Sequence, residues 1–380
     1  MNKKIAFFIS AWYFGGAEKV VIRLANQFIT KGYDVCVVVC HKSENSAMPV
    51  NEGYKNELHS GVEFTFLDIE APAFIKSTKL RFYIEVLLRI PHIAKYIIRE
   101  KPFAIFSNNI GASAIIANLF SLGKTKIIPV EHNSYTIRTG KAKTAMRFFY
   151  PFASSIVCVS KDMEKELRGQ MPCIKEKIIS IPNPIDLAEI HGKATQPTRH
   201  PWLEEPKTLP VFLGIGRLHP QKNFELLLRA FALVREQREG KLIIAGIGKQ
   251  ESYLKNLAME LGIETHVDFV GFLENPYPFF READVFVLSS IHEGFGLVLA
   301  EALACGCQVV STDCPVGPSE ILENGKYGWL IPMNNPAAMA NAMLEAIAHP
   351  KAKELLYERG RDFSDDRTAE KYAGLLRKAR

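Results

Sequence analysis

Ser289-Ser-Ile-His-Glu-Gly-Phe-Gly-Leu-Val-Leu-Ala-Glu301 is the stretch on which the reading of this 380-residue chain turns. An apolar, β-branched run over Val285–Ser289 predicts a buried strand, and the apolar residues after Gly296 predict a helix. Between them a loop carries Glu293 at its crest, beside Gly294 and Gly296, and Glu301 falls about one and a half turns into the helix. The first free N–H groups, from Gly296 through Leu297 to Val298, can cap an anion. Glu293 can accept hydroxyl hydrogens, and Glu301 can grip a pair of vicinal hydroxyls. The helix dipole alone accounts for an acidic residue ahead of the helix. It does not account for the paired glycines or for a second, deeper Glu in an otherwise apolar helix. A strand, a ligand loop and a helix in that order form the binding unit of a doubly wound parallel sheet.

Working outward, the same alternation fills the second half of the chain. Strands are expected over Val211–Ile215, Lys241–Ala245, Val267–Val270 and Gln308–Ser311, with helices near 223–238, 251–261, 296–304 and 336–348 and a last one near 366–378. Gly214-Ile-Gly-Arg-Leu-His-Pro-Gln-Lys-Asn223 joins a strand to a helix. Glycine lets phosphate oxygens approach the backbone, and Arg217 and Lys222 supply a fork and a point charge, so the stretch suits a diphosphate. Asn223 suits the helix N-cap. The third Gly of a dinucleotide fingerprint is absent, because His219 stands there. Gly246-Ile-Gly248 reads as a tight turn after the next strand.

The first half alternates in the same way, with strands over Ile5–Ser10, Val35–Cys40, Glu63–Leu67, Ala104–Ser107, Lys126–Val130 and Ile156–Ser160. Its helices are expected near 17–31, 78–100, 112–122 and 161–169. The fold expected is α/β: two doubly wound, Rossmann-like domains facing a cleft. They span residues 1–186 and 210–365, joined by a Pro-rich linker over 187–209, and a helix over 366–380 crosses back onto the first domain.

Composition narrows the class. With 47% hydrophobic and 23% charged residues the chain is an ordinary globular one, which excludes disordered, collagenous and coiled-coil classes. Seven cysteines without regular spacing point to free thiols rather than disulfides or zinc. The uncharged run 103–123 has membrane-spanning length, but Ser107, Asn108, Asn109, Gly111 and Ser113 interrupt it, so a peripheral or soluble protein is expected. The net charge of +6 is uneven. Residues 76–147 hold 13 Lys and Arg against 3 Asp and Glu. That asymmetry asks for an anionic partner on one domain only.

The spacing of Glu293 and Glu301, the Gly-x-Gly-Arg-Leu…Lys-Asn run and the early Gly15-Gly16-Ala17-Glu18 loop together resemble the retaining glycosyltransferases of family GT4, which have the GT-B fold. The resemblance covers nearly the whole chain in the right order. It implies that the C-terminal domain binds a nucleotide-sugar, with Arg217 and Lys222 on the diphosphate, Glu293 on the transferred sugar and Glu301 on the ribose. Gly216, Gly294, Phe295, Gly296, Leu297 and Val298 line the donor, and Phe272 and Leu273 seat the base through backbone groups. Gly15 and Gly16 let the N-terminal loop approach the donor phosphates. His132, at the end of a predicted strand, matches the histidine that approaches the sugar from the N-terminal domain; Glu131 and Asn133 flank it. No Asp-x-Asp motif is present, so neither a metal nor a cofactor is expected.

The basic excess gathers in two amphipathic segments with aromatics, 76–101 and Arg138–Phe152. Lys79, Arg81, Arg89, Lys95, Arg138, Lys141, Lys143 and Arg147 are assigned to an anionic bilayer surface and the acceptor. No nucleic-acid motif accompanies this charge. Asp313-Cys-Pro-Val-Gly-Pro-Ser-Glu-Ile-Leu322 and Glu131-His-Asn133 are similar to bacterial enzymes that extend undecaprenyl-diphosphate-linked oligosaccharides of the O-antigen, capsule or N-glycan type. The activity expected is transfer of a hexose or N-acetylhexosamine, from UDP-GalNAc or UDP-Gal, to a polyprenyl-diphosphate-linked glycan. It would take place at the cytoplasmic face of the membrane. The rivals are a lipopolysaccharide-core hexosyltransferase, a UDP-sugar 2-epimerase and a non-catalytic nucleotide-sugar binding module.

Overall fold

A computed structural model of the chain describes residues 4–12, 15–41, 52–69, 78–204 and 206–377, with only the backbone for 52 and 78–83. The chain divides into two units: residues 1–184 with 365–380, and residues 185–364.

The first unit holds seven parallel strands: β1 (Lys4–Ile9), β2 (Asp34–Val39), β3 (Glu63–Phe66), β4 (Ala104–Asn108), β5 (Lys126–Glu131), β6 (Ile156–Cys158) and β7 (Ile178–Ser180). Their order across the sheet is β3-β2-β1-β4-β5-β6-β7. Helices cover both faces, so the central strands read as continuous apolar runs; in β2 every residue after Asp34 is buried. The order reverses between β1 and β4, which pair from Ile5 against Ala104 to Ile9 against Asn108.

The second unit repeats the plan with β8 (Val211–Ile215), β9 (Lys241–Ala245), β10 (Val267–Gly271), β11 (Val285–Leu288), β12 (Gln308–Thr312) and β13 (Trp329–Ile331), ordered β10-β9-β8-β11-β12-β13. Here the reversal lies between β8 and β11, whose registered pairs are Phe212 with Val285 and Leu213 with Phe286. The loops leaving these two strands therefore start side by side at the switch point, where doubly wound sheets bind ligands.

The last helix, Asp365–Arg377, belongs to the first unit. Tyr372 is fully buried and meets Phe106 edge-on at 5.4 Å, and Phe106 stacks on Phe7 at 5.1 Å. Gln27 donates to Asp365 at 2.7 Å in the helix's first turn, and Lys126 donates to the carbonyl of Leu376 in its last turn at 2.9 Å. A cation at that end also suits the helix dipole. Burying Tyr372 and Leu376 contributes on the order of 2 kcal/mol each.

The stretch 187–209 differs from the linker expected. Asp186 accepts from the Glu189 N–H at 2.8 Å and starts a helix over Leu187–Ala194, whose Ile190 and Ala194 are buried in the second unit. Farther on, buried His200 meets Asp268 at 3.1 Å, and Lys241 lies over the Trp202 ring at 4.7 Å. The prolines stiffen a segment that is packed rather than free.

Candidate functional site

The site in the second unit is assembled from the loops after β8 and β11. Gly216 N–H donates to Ala245 O at 2.9 Å and Leu218 N–H to Ile247 O at 3.0 Å, tying the β8 loop to the β9 loop. The approach is close enough to exclude side chains. A Cβ on Gly246 would lie 2.8 Å from the Gly216 carbonyl carbon, and one on Gly248 would lie 2.7 Å from that of Leu218. This is the physical use of Gly246-Ile-Gly248, beyond a turn.

A short 3-10 turn over Pro220–Lys222 follows, and Asn223 occupies the cap position of the helix Phe224–Gln237. Asn223 does not cap through its side chain as expected. It adopts a left-handed conformation, φ 48°, which asparagine tolerates better than most residues.

The β11 loop is tied to that turn. Ile291 N–H donates to Gln221 O at 2.8 Å, Gln221 Nε2 to His292 O at 2.9 Å, and Ser289 Oγ to Lys222 O at 2.8 Å. The result is a charge pair at the crest, with Lys222 Nζ 2.6 Å from Glu293 Oε1. Ser290 Oγ donates to the same oxygen at 2.6 Å. Both charged side chains are largely buried, 17% and 9% exposed. Glu293 Oε2 makes no hydrogen bond among the described residues.

Gly296, at φ 93°, leads into the helix Leu297–Ala304, so the helix begins one residue later than expected. The Leu297 and Val298 N–H groups have no acceptor within the helix. Glu301 is buried four residues in. Phe295 turns away from the loop: it is 2% exposed and meets Phe363 edge-on at 5.5 Å, so only its backbone is left for a ligand. Arg217 and Phe272 are exposed, the latter just past the end of β10.

In the first unit the helix Gly16–Thr30 starts after Gly15, whose pro-Cβ direction is filled by the Glu18 carboxylate. His132 follows β5. Its backbone N–H donates to Asn109 Oδ1 at 3.2 Å, and its Nε2 lies 2.8 Å from Asn108 Oδ1. Burial first, then the Arg138 guanidinium, pushes the imidazole down to about 4. Asn133 is exposed and reaches only Asn109, at 3.5 Å, so it does not orient the ring. Asn108 does. The sequence showed it only as a polar residue in an uncharged stretch at a strand end.

The cations assigned to an acceptor or a bilayer separate into two groups. Arg138 bonds to the buried carboxylate of Glu131, which also takes the Tyr150 hydroxyl, and that phenol is held well above its usual range by burial and Glu131. Arg89 is buried and donates to His41 Nε2 through Nε at 3.1 Å and through Nη2 at 2.7 Å. Both therefore face inward, because each finds a partner that local sequence does not reveal. Lys143 donates to Thr136 O at 3.0 Å and lies over the Tyr135 ring. Lys95, Lys141 and Arg147 are exposed, and the side chains of Lys79 and Arg81 lie outside the described residues. The first unit also carries exposed apolar residues, Leu87, Ile98, Phe120, Leu122 and Phe148, and Lys95 shares a surface cavity with Ile98 and Phe120. Among the described residues no helix is long and apolar enough to cross a membrane, and no three His, Cys, Asp or Glu gather as a metal site.

Two family models match the chain in tandem: Glycosyltransferase Family 4 over residues 14–189 and Glycosyl transferases group 1 over 196–363. One relative is the N-acetylgalactosamine-N,N'-diacetylbacillosaminyl-diphospho-undecaprenol 4-alpha-N-acetylgalactosaminyltransferase of Campylobacter jejuni, 28% identical over 363 residues. The alignment covers 93% of this chain and 92% of the relative. The lipopolysaccharide core biosynthesis glycosyltransferase LpsE of Rhizobium meliloti is 26% identical, over 95% of this chain and 96% of its own. Among solved structures, Anabaena Alr3699/HepE in complex with UDP superposes with a TM-score of 0.77 at 20% identity, covering 98% of this chain and 99% of that one.

Proposed function

Because the chain belongs to the family 4 glycosyltransferases of GT-B fold, we propose that it transfers a hexose or N-acetylhexosamine from a UDP-sugar, UDP-GalNAc or UDP-Gal, to a polyprenyl-diphosphate-linked glycan, with retention. The single observation that carries the reading is the Lys222–Glu293 pair, held at the switch point between two tethered loops. A cation for a departing diphosphate and a carboxylate for a hexose stand together there. The C. jejuni relative supports the acceptor class, since its name specifies an undecaprenol-diphosphate-linked substrate and an α-linked N-acetylgalactosamine. The UDP complex of HepE supports the nucleotide.

The chemistry follows from charge. As the bond to the anomeric carbon lengthens, negative charge grows on the diphosphate and the sugar becomes oxocarbenium-like. Lys222, Arg217 and the Leu297 and Val298 N–H groups stabilise that charge without reorganising, so the reaction runs without a metal. Glu293 accepts sugar hydroxyl hydrogens and Glu301 those of the ribose. Neither is a covalent nucleophile: the acceptor hydroxyl attacks from the leaving-group side, and a donor phosphate oxygen takes its proton. A neutral His132 contacts a hydroxyl rather than a phosphate. The exposed cations and apolar residues of the first unit hold the enzyme peripherally on the anionic cytoplasmic face of the membrane.

A screen of UDP- and GDP-sugars against synthetic undecaprenyl-diphosphate glycans and lipid-A core acceptors, read by mass spectrometry, tests this. Transfer to the diphosphate-linked glycan is expected. Transfer to the core acceptor alone would assign the lipopolysaccharide role that LpsE's name suggests. Turnover without acceptor would assign a 2-epimerase, and absence of UDP-sugar binding in calorimetry would sink the reading.

A further inference from the structure

We infer that Asn108, which ends β4, is a positioning residue that fixes His132 as the neutral Nε2–H tautomer and leaves Nδ1 as the nitrogen that meets a substrate hydroxyl. The inference rests on the proposed reading only where it makes His132 a ligand contact.

Four hydrogen bonds lead to it. Asn108 is 2% exposed, and its Nδ2 donates to the carbonyl of Phe8 on β1 at 3.0 Å and weakly to that of Phe106 at 3.5 Å. A carbonyl only accepts, so the amide cannot be turned around: the NH2 group must face Phe8, and Oδ1 must face the histidine. Oδ1 lies 2.8 Å from His132 Nε2. Since Oδ1 also only accepts, the hydrogen sits on Nε2. The fourth bond holds the backbone, where Asn109, at φ 58°, accepts from the His132 N–H through Oδ1. Asn109 is itself anchored by its N–H on Val130 O at 3.1 Å. Two consecutive asparagines thus hold both the chain and the ring of His132.

The surroundings keep the ring neutral. Arg138 approaches from the loop after β5, and the carboxylates nearby are already engaged, Glu131 by Arg138 and Tyr150, Glu166 by Ser134, Tyr135 and Thr136. Cys158 on β6 is a buried thiol, held protonated by its burial. Among the described residues no unengaged anion stands ready to hold a proton on the imidazole. Nδ1 makes no hydrogen bond among the described residues and carries a lone pair. A nitrogen of that kind takes a hydrogen from a hydroxyl and repels a phosphate oxygen. The tautomer set at β4 therefore decides which chemical group, a hydroxyl or a phosphate oxygen, the ring can meet.

Long-range 15N correlation spectra of His-labelled protein test the tautomer without any substrate. The expected spectrum is Nε2–H only, unchanged to below pH 5. Asn108→Ala should give a mixture of tautomers. Asn108→Asp, which puts a carboxylate beside Nε2, should raise the pH at which the ring protonates and move the acid limb of the transfer rate upward with it. A merely structural asparagine would leave that limb in place. With UDP-GalNAc, or the UDP-sugar the screen returns, Asn108→Ala should lower kcat about tenfold. The Asn108→Ala/His132→Ala double variant should lose no more than His132→Ala alone. UDP binding and thermal melting serve as folding controls. An Nδ1–H spectrum, or additive losses in the double variant, overturns the assignment to Asn108. Full activity of His132→Ala with the Nε2–H spectrum intact overturns instead the reading of His132 as a ligand contact.

Discussion

Gly246→Ala is the sharpest test of the proposed donor site, because it adds one methyl group away from the charged side chains and moves the β8 loop that carries them. Gly246 sits at φ 141°, where L-residues are strained, and its new Cβ would lie 2.8 Å from the Gly216 carbonyl carbon and closer still to the oxygen. Real Cβ atoms essentially never come within 3.0 Å of a heavy atom, and the neighbour here is backbone, which cannot swing aside. The β8 loop must retreat by about 1 Å, a displacement that can cost on the order of a hundredfold in rate when it moves catalytic groups. Strain in the altered backbone adds about 1–3 kcal/mol of lost stability. The assay is kcat/KM for transfer, with UDP affinity by calorimetry and a thermal melt. Gly240→Ala is the control, since its Cβ would come no closer than 3.3 Å, to the Phe212 ring. The expected result is a deep loss of activity and weaker UDP binding in Gly246→Ala, with Gly240→Ala near wild type. Wild-type kinetics in Gly246→Ala would refute the claim that the contact between the β8 and β9 loops positions Arg217 and Lys222.

Lys222→Met should lower kcat/KM by about a hundredfold to a thousandfold, and the melting temperature should fall because Glu293 is left buried without its counter-charge. Glu293→Gln should separate the two roles: UDP affinity held or improved, since Lys222 is released to the phosphates, and kcat reduced, as calorimetry and single-turnover kinetics would reveal. For His132 the folded value is pushed down to about 4 from 6.5. The unfolded chain therefore binds the proton better, and stability falls as pH drops from 6.5 toward 4, by at most about 3 kcal/mol. His132→Gln should remove that part of the slope in melts taken between pH 4 and pH 7. Phe120→Ser with Leu122→Ser should weaken sedimentation with anionic vesicles by about 2 kcal/mol per side chain, and neutralising Lys95, Lys141 and Arg147 by about 1 kcal/mol each. Unchanged sedimentation in both sets would remove the bilayer from the account.

The alternation of apolar runs and amphipathic helices disclosed both sheets, because central strands of a parallel sheet are apolar throughout. β7 and β13 escaped that reading. Each has three residues at a sheet edge, too few to show a period. The loops after β8 and β11, to which the donor is assigned here by proposal, stood out in the sequence for a different reason: glycines, Arg217, Lys222, Glu293 and Glu301 are unusual so close to apolar strands and helices. What the sequence could not disclose is direction. Arg89 and Arg138 read as surface cations beside aromatics, yet their partners are His41, 48 residues away, and Glu131 at the end of an interior strand. Asn108 meets His132 across 24 residues, through strands that are adjacent only once the sheet exists.

The inward-facing arginines also sharpen what the basic segment can do. Arg89 and Arg138 are committed inside the first unit, and Lys126 is buried at the end of the last helix. The surface charge is therefore smaller than the count of 13 cations implies. What stays outside is mixed in kind: Lys95, Arg99, Lys141 and Arg147 are exposed, and the first two line one surface cavity with Ile98 and Phe120. Leu122 is the extreme case. It is 90% exposed in a left-handed turn, φ 49°, whose N–H bonds to Leu119 O at 3.3 Å. Such a turn favours glycine or asparagine, and a leucine there gains nothing from its own fold. Scattered exposed leucines need no explanation. One held in strain in a cavity wall with Lys101 and Lys124 does, and the proposed membrane interface, apolar in its depth and anionic at its rim, would supply one. Diffuse charge would suit any polyanion; this combination is the ground for proposing a bilayer and not a nucleic acid, whose phosphates offer nothing to Phe120, Leu122 and Phe148.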